Sequence, residues 1–223
     1  QNSTSVGVKN ESALYDQAGM PVYPVELREN MIPLDLSEQD LSLLVTEESI
    51  QGILHAHSTY SDGKNTLEEM VKGAQSAGYN YLGITDHSKS SFFYANGLYE
   101  NRIREQHDVI DEINSQNPDF RIFKGIECDI LPDGSLDYND DVLESFDFIV
   151  CSVHSVLNMD PDTATKRLLK AIDNPFTTIL GHMTGRLLLR RQGYPVHMEY
   201  ILEACAKNNV TIELNANPNR LDV

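Results

Sequence analysis

From residue 50 onward, short apolar runs alternate with longer amphipathic ones. Gly52-Ile53-Leu54-His55-Ala56-His57 reads as a strand running into a turn. Thr66-Leu67-Glu68-Glu69 follows as a capping box, with Thr66 capping a helix start and Glu69 reaching back. Leu67, Met70, Val71, Ala74 and Ala77 keep helical spacing until Gly78 stops the helix. Further apolar strands are predicted at 79–86, 120–127, 146–154, 177–182 and 210–217. A polar helix over 101–115 turns Ile103, Ile110 and Ile113 to one side. Asp160-Pro161 is an N-cap with proline at the first helical position, opening a helix to about 173. Another helix turns Met198, Ile201, Leu202 and Cys205 inward. Strands this apolar are buried on both faces, which implies a parallel sheet covered by helices. Six such βα units in series favour a TIM-type α/β barrel, whose sites lie at the C-terminal ends of the strands.

Residues 1–49 do not share this pattern. The first ten are polar, 11–18 can form a short helix, and Pro21, Pro24 and Pro33 prevent a long one. Residues 35–48 read as an acidic linker with a short helix. The expected division is therefore a linker at 1–49 and the main domain at 50–223. The first residue is Gln1 rather than Met, so a piece of a longer protein is expected.

Composition narrows the function. The 223 residues carry 34 Asp+Glu against 17 Lys+Arg, a formal net charge of -17. That argues against a surface that coats nucleic acid or binds an anionic membrane. A local phosphate site stays open, because bound metal ions bring their own charge. The three cysteines are scattered with no CxxC, so no disulfide framework is expected and a reducing cytoplasm fits. Cys128 has opposite parity to Glu127, and Cys151 to His154, so both read with Cys205 as small core residues. No apolar run is long enough to span a membrane, and no signal peptide is visible.

Histidine placement carries the chemistry. His55 and His57 are two apart on a strand and project from one face, with Asp62 just beyond as an oxygen ligand. An isolated HxH is more often a buried, hydrogen-bonded pair. Here later strands end in His87, Glu127, His154 and His182, so five of the seven histidines fall at strand ends. His107 is mid-helix near Asp111 and His197 begins a helix, and neither is expected to act. Arg186, four residues past His182, is the first candidate to neutralise a substrate phosphate, and Lys89, after His87, the second.

These motifs resemble the PHP (polymerase and histidinol phosphatase) superfamily, and specifically the PHP domain of bacterial family X DNA polymerases. The resemblance is carried by His55-Ala56-His57-Ser58-Thr59-Tyr60-Ser61-Asp62-Gly63, Gly83-Ile84-Thr85-Asp86-His87-Ser88, Gly125-Ile126-Glu127, Ser152-Val153-His154-Ser155 and Gly181-His182-Met183-Thr184-Gly185-Arg186. Glu213-Leu214-Asn215-Ala216-Asn217-Pro218 and Tyr23-Pro24-Val25-Glu26-Leu27-Arg28 resemble the family X version. The resemblance implies a distorted seven-stranded TIM-like barrel holding up to three divalent ions, manganese, zinc or iron. His55, His57 and Glu127 would hold the first ion, Glu127, His154 and His182 the second, and Asp62 and His87 the third. The family's Asp-x-His on a seventh strand would complete the first and third, but the chain stops at Val223 before it. On that ground the barrel is expected to lack its last strand, and the chain to be weakly active or inactive as it stands.

The implied chemistry is metal-dependent phosphoester hydrolysis. One version trims DNA 3′ ends as an exonuclease in DNA repair, beside a covalently linked polymerase domain. Another is a stand-alone phosphomonoesterase of the histidinol-phosphatase kind, acting on a small phosphorylated substrate. A structural PHP domain without activity and an amidohydrolase barrel are the remaining readings; the retained ligands weigh against the first, and Asp62 and Glu127 against the second. Phe92-Phe93-Tyr94 could stack bases beside the site or simply pack in its loop.

Overall fold

The computed structural model describes residues 7–27 and 41–222. The chain divides into two compact units, Gln1–Thr46 and Glu47–Val223. In the first, helix α1 (Glu11–Ala18) is capped by Asn10, whose side chain accepts from Ala13 N at 3.0 Å, and ends at Gly19 with φ 64. A single 3-10 turn follows at Val25–Leu27. Arg28, Pro33 and the first part of the expected linker, 35–40, lie outside the described residues.

The second unit alternates strand and helix. Its strands are β1 (Gly52–Ala56), β2 (Tyr81–Ile84), β3 (Arg121–Asp129), β4 (Phe148–Ser152), β5 (Ile179–Leu180) and β6 (Thr211–Ile212). Between them run α2 (Leu67–Ser76), α3 (Phe92–Ala95), α4 (Glu100–Gln116), α5 (Asp140–Leu143), α6 (Pro161–Ile172) and α7 (Met198–Asn208). All neighbouring strands are parallel, in the order β1-β2-β3-β4-β5-β6. The sheet curls into a TIM-like α/β half-barrel, as the alternation predicts.

Local chemistry sets the helix boundaries. Thr66 Oγ1 accepts from Glu69 N and Glu69 returns to Thr66 N at 3.0 Å, the expected capping box. Asp160 accepts from Thr163 N at 2.9 Å, with Pro161 opening α6. The buried sides of α2 and α4, including Val71 and Ile110, pack with Ile84 and Ile122 of the sheet. A larger core gathers Ile126, Ile149, Leu168, Ile172, Leu180 and Ile201. Cys128, Cys151 and Cys205 are free and buried.

Three strands differ from expectation. β1 is not buried on both faces: Ile53 and Leu54 are exposed, because among the described residues β1 pairs only with β2. β5 and β6 are two residues each, shorter than 177–182 and 210–217. Backbone pairing stops because the Glu213 carboxylate, rather than a backbone carbonyl, takes the His182 N–H at 2.6 Å. Beyond it the chain folds on itself, with Asn215 N donating to Asp222 O at 2.9 Å.

Candidate metal centre

The curled sheet places its C-terminal ends around one buried carboxylate. Glu127, near the end of β3, is 1% exposed. Its Oε1 lies 3.3 Å from His55 Nε2, 3.1 Å from His154 Nε2 and 2.8 Å from His182 Nε2. Its Oε2 lies 3.4 Å from His57 Nε2 and 3.1 Å from His87 Nδ1. Five imidazoles therefore converge on the two oxygens of one side chain. The same-face parity of β1 is visible in the His55 and His57 rings, stacked 5.5 Å apart. Asp62 stands at the rim, half exposed, with Oδ1 3.0 Å from His57 Nδ1 and Oδ2 3.7 Å from His87 Nε2.

The ligand atoms form three compact groups: His55, His57 and Glu127; His57, Asp62 and His87; and His87, Glu127 and His154. Within each, they lie within 4.8 Å of one another. His182 adjoins Glu127 without entering a group, and His87 bridges between two.

The carboxylate and imidazole charges are strongly coupled. Burial alone would raise the Glu127 carboxyl, but His154 and His55 outweigh it and hold it well below the usual range. Burial pushes His55 down, yet Glu127 and Glu213 overcome that and raise it to about 10. His154 is likewise raised to about 10, against burial, by Glu127 and Asp129. His87 goes the other way, to about 4, because burial dominates and His57 and His154 repel a second charge. The Asp62 carboxyl is lowered, first by its hydrogen bond to His57. A buried carboxylate sharing protons with several imidazoles is a site that a cation would satisfy better. The Nδ1 atoms of His87 and His182 are buried and make no hydrogen bond. These donors fit divalent cations, and the nitrogen and oxygen mixture suits zinc, manganese or iron.

An imidazole ligand needs its outer nitrogen held, and the side chains that do so were not named from the sequence. Asp129, two residues past Glu127 on the same face, accepts from His154 Nδ1 at 2.6 Å. Glu213 accepts from His55 Nδ1 at 2.5 Å and lowers its own carboxyl to about 2, burial notwithstanding, largely through that bond. Outer carboxylates of this kind fix the tautomer and aim of an imidazole ligand. Strand parity could have found Asp129, and position at a strand end could have found Glu213. Asp86 is fully buried; it accepts from Ser58 N at 2.8 Å, Ser61 N at 3.1 Å and Gln106 Nε2 at 2.6 Å, and so holds the turn that carries Asp62.

The two expected phosphate-binding cations are placed differently. Lys89 Nζ is 3.9 Å from Glu100 and 5.0 Å from the centre of the Tyr138 ring, and does not line the cavity. Arg186 Nε donates to Arg220 O at 3.2 Å and does not line the cavity. Arg220 itself lines the cavity, with Nη1 buried and unpartnered. The cavity, about 950 Å³, holds all seven expected ligands, with Tyr94 and Glu213, on its walls.

Comparison with known proteins agrees with this geometry. Residues 54–217 match the PHP domain family. The chain is 42% identical over 214 residues to the DNA polymerase/3'-5' exonuclease PolX of Bacillus subtilis, covering 96% of this chain and 37% of that protein. It is 31% identical over 166 residues to a probable phosphatase of Caldicellulosiruptor saccharolyticus, covering 72% of this chain and 64% of that one. The chain thus spans under two thirds of either relative. Among solved structures, a histidinol phosphate phosphatase from Lactococcus lactis, complexed with zinc, L-histidinol and phosphate, shares the fold. Its TM-score is 0.56 at 18% identity, over 74% of this chain and 73% of that one. A putative histidinol phosphatase from Listeria monocytogenes has a TM-score of 0.55 at 14% identity, over 74% of this chain and 82% of that one.

Proposed function

This chain belongs to the PHP domain family of metal-dependent phosphoesterases, and we propose that its cavity removes nucleotides from DNA 3′ ends in DNA repair. The observation that carries the hydrolytic reading is the convergence of five imidazoles on Glu127 in a cavity that Arg220 also lines. His55, His57, Asp62, His87, Glu127, His154 and His182 are the residues that would hold the divalent ions. Bound divalent ions lower the pKa of water and clamp phosphoryl oxygens. Arg220, on the cavity wall, is the proposed partner of a substrate phosphate, and Arg186 Nε donates to its carbonyl at 3.2 Å. Lys89, 3.9 Å from Glu100 and off the cavity lining, is the second candidate for a substrate phosphate.

DNA is favoured by the 42% identity to a polymerase/exonuclease over 96% of this chain. On the same ground, residues 1–49 join this domain to a polymerase module, in a cytoplasmic protein whose buried free thiols suit a reducing compartment. Among the described residues, no helix is long and apolar enough to cross a membrane.

The second reading is a phosphomonoesterase for a small substrate, favoured by the 31% identical probable phosphatase and by the fold shared with histidinol phosphatases. Incubating the chain with Mn²⁺ and either a single-stranded oligonucleotide or histidinol phosphate separates the two. Slow release of mononucleotides from 3′ ends is expected, in keeping with the weak activity expected of this chain. Rapid release of inorganic phosphate from histidinol phosphate, with the oligonucleotide intact, selects the second reading.

A further inference from the structure

Residues 88–98 leave the end of β2 after His87 and come back to it. Leu98 N donates to His87 O at 2.8 Å, and Ser88 and Leu98 form a parallel bridge. Gly97 makes that return possible, since a Cβ there would stand 1.9 Å from Ser88 O. Ser91, Ala95 and Leu98 are buried beneath the loop. Asn96 ends α3 with φ 54 and its Nδ2 donates to Tyr60 O at 3.1 Å. The loop is therefore pinned at both ends and in the middle.

This well-anchored segment nevertheless turns aromatic rings outward. Phe93 is 94% exposed and Tyr94 64%, with Phe92 and Tyr99 exposed beside them. The Phe92 ring stands edge-on to Phe93 at 5.7 Å and to Tyr99 at 5.2 Å. Tyr94 lines the metal-centre cavity, with its ring 6.4 Å from that of His87. Its hydroxyl turns inward to Ser91 Oγ at 2.6 Å, and Ser91 donates to Asp129 at 2.6 Å, so the ring is referenced to the carboxylate that aims His154. One exposed ring is ordinary. Packing does not account for several rings held out on one anchored loop, of which Tyr94 lines the hydrolytic cavity.

We propose that Phe92, Phe93 and Tyr94 are a stacking platform for unpaired bases next to the 3′ terminus of a single-stranded nucleic acid. The proposal rests on the DNA-end reading given above. A nucleic acid alternates phosphates with flat aromatic faces, which matches a phosphoryl site flanked by exposed rings. A chain with net charge -17 cannot grip a polyanion along its length, whereas stacking needs no positive charge. Rings already ordered by their loop lose little entropy on binding. A substrate the size of histidinol phosphate would sit inside the cavity and leave Phe93 uncovered.

The test uses the whole chain loaded with Mn²⁺. Its ligand is a 5′-fluorescein oligodeoxythymidylate with uncleavable 3′ phosphorothioate linkages and 2-aminopurine as the penultimate base. Anisotropy reports binding, and 2-aminopurine quenching reports stacking. Phe93→Ala and Phe92→Ala are each expected to weaken binding about five-fold or more and relieve the quenching. Hydrolysis of thymidine 5′-p-nitrophenyl phosphate should be unchanged. Unaltered binding and quenching in both variants overturns the platform and leaves the rings to a protein partner. Equal losses on oligonucleotide and small ester also overturn it, since the loop would then only shape the metal centre. If the parent chain ignores single-stranded DNA but hydrolyses a phosphomonoester, the DNA-end reading fails first and takes the platform with it.

Discussion

At Asp129, one carboxylate oxygen 2.6 Å from His154 Nδ1 decides which way that imidazole faces Glu127. Asp129→Asn keeps the size of the side chain and removes the charge that orients the ring. Metal affinity should fall about 10- to 100-fold with the fold intact. Isothermal titration with Zn²⁺ measures it, and an unchanged affinity would deny Asp129 its positioning role. A second residue-scale outcome lies away from the centre. His107 packs edge-on against Phe146 at 5.0 Å, with Nε2 buried and unpartnered. Burial, with Lys124 nearby, lowers it to about 4 from an ordinary 6.5, despite Asp108, Asp111 and Asp147. Between those values the unfolded chain binds a proton that the folded chain refuses. Its contribution to stability is therefore whole above pH 6.5 and shrinks as pH falls towards 4. His107→Leu should lose less stability than the parent between pH 7 and pH 5 in urea titrations. Parallel losses in the two proteins would contradict this.

Among the elements, β2, β3 and β4 meet where the Phe148 ring lies across two glycines. A Cβ on Gly125 would stand 2.5 Å from Phe148 Cζ and 2.7 Å from the Ile84 carbonyl, and one on Gly83 2.6 Å from the same ring atom. Backbone cannot move aside as a flexible side chain can. Gly125→Ala should thus cost about 1–3 kcal/mol, as overpacking does. It should also disturb the strand that carries Glu127. Thr66→Ala should cost about 1 kcal/mol by removing one side of the α2 capping box. Urea denaturation reads both. The α2 and α6 boundaries were legible because Thr66-x-x-Glu69 and Asp160-Pro161 act on their own backbone within one turn. The short β5 and β6 were not, because the group that ends their pairing is the side chain of Glu213.

For the molecule as a whole, metal and fold are one equilibrium. The strands meet around Glu127, so a bound cation ties together β1, β3 and the loops after β2, β4 and β5. At a hundred times its Kd, a metal adds about 2.7 kcal/mol of stability. Chelation should therefore lower Tm by about 5–10 °C, and adding Zn²⁺ or Mn²⁺ should restore it. A thermal melt unmoved by EDTA and by metal would argue that the centre stays empty in solution. The net charge of -17 sets a second outcome. Single-stranded DNA binding should show a shallow salt slope, that of about one to three phosphates. A steep slope would require a basic track.

The sequence alone was enough for the alternation of strand and helix, the helix caps, and His55, His57, His87, Glu127, His154 and His182 at strand ends. Each follows from backbone periodicity or a contact within a few residues. The alternating apolar pattern also sufficed for a parallel, TIM-like α/β architecture. Tertiary structure decided what those ends do together: that two oxygens of Glu127 face five imidazoles, and that Asp129 and Glu213 aim His154 and His55. It also turned Lys89 to Glu100 and left Arg220, rather than Arg186, on the cavity wall. The physical reason is separation along the chain. His55 and Glu213 are 158 residues apart, and no local propensity records a hydrogen bond that only the closing curl of the sheet creates.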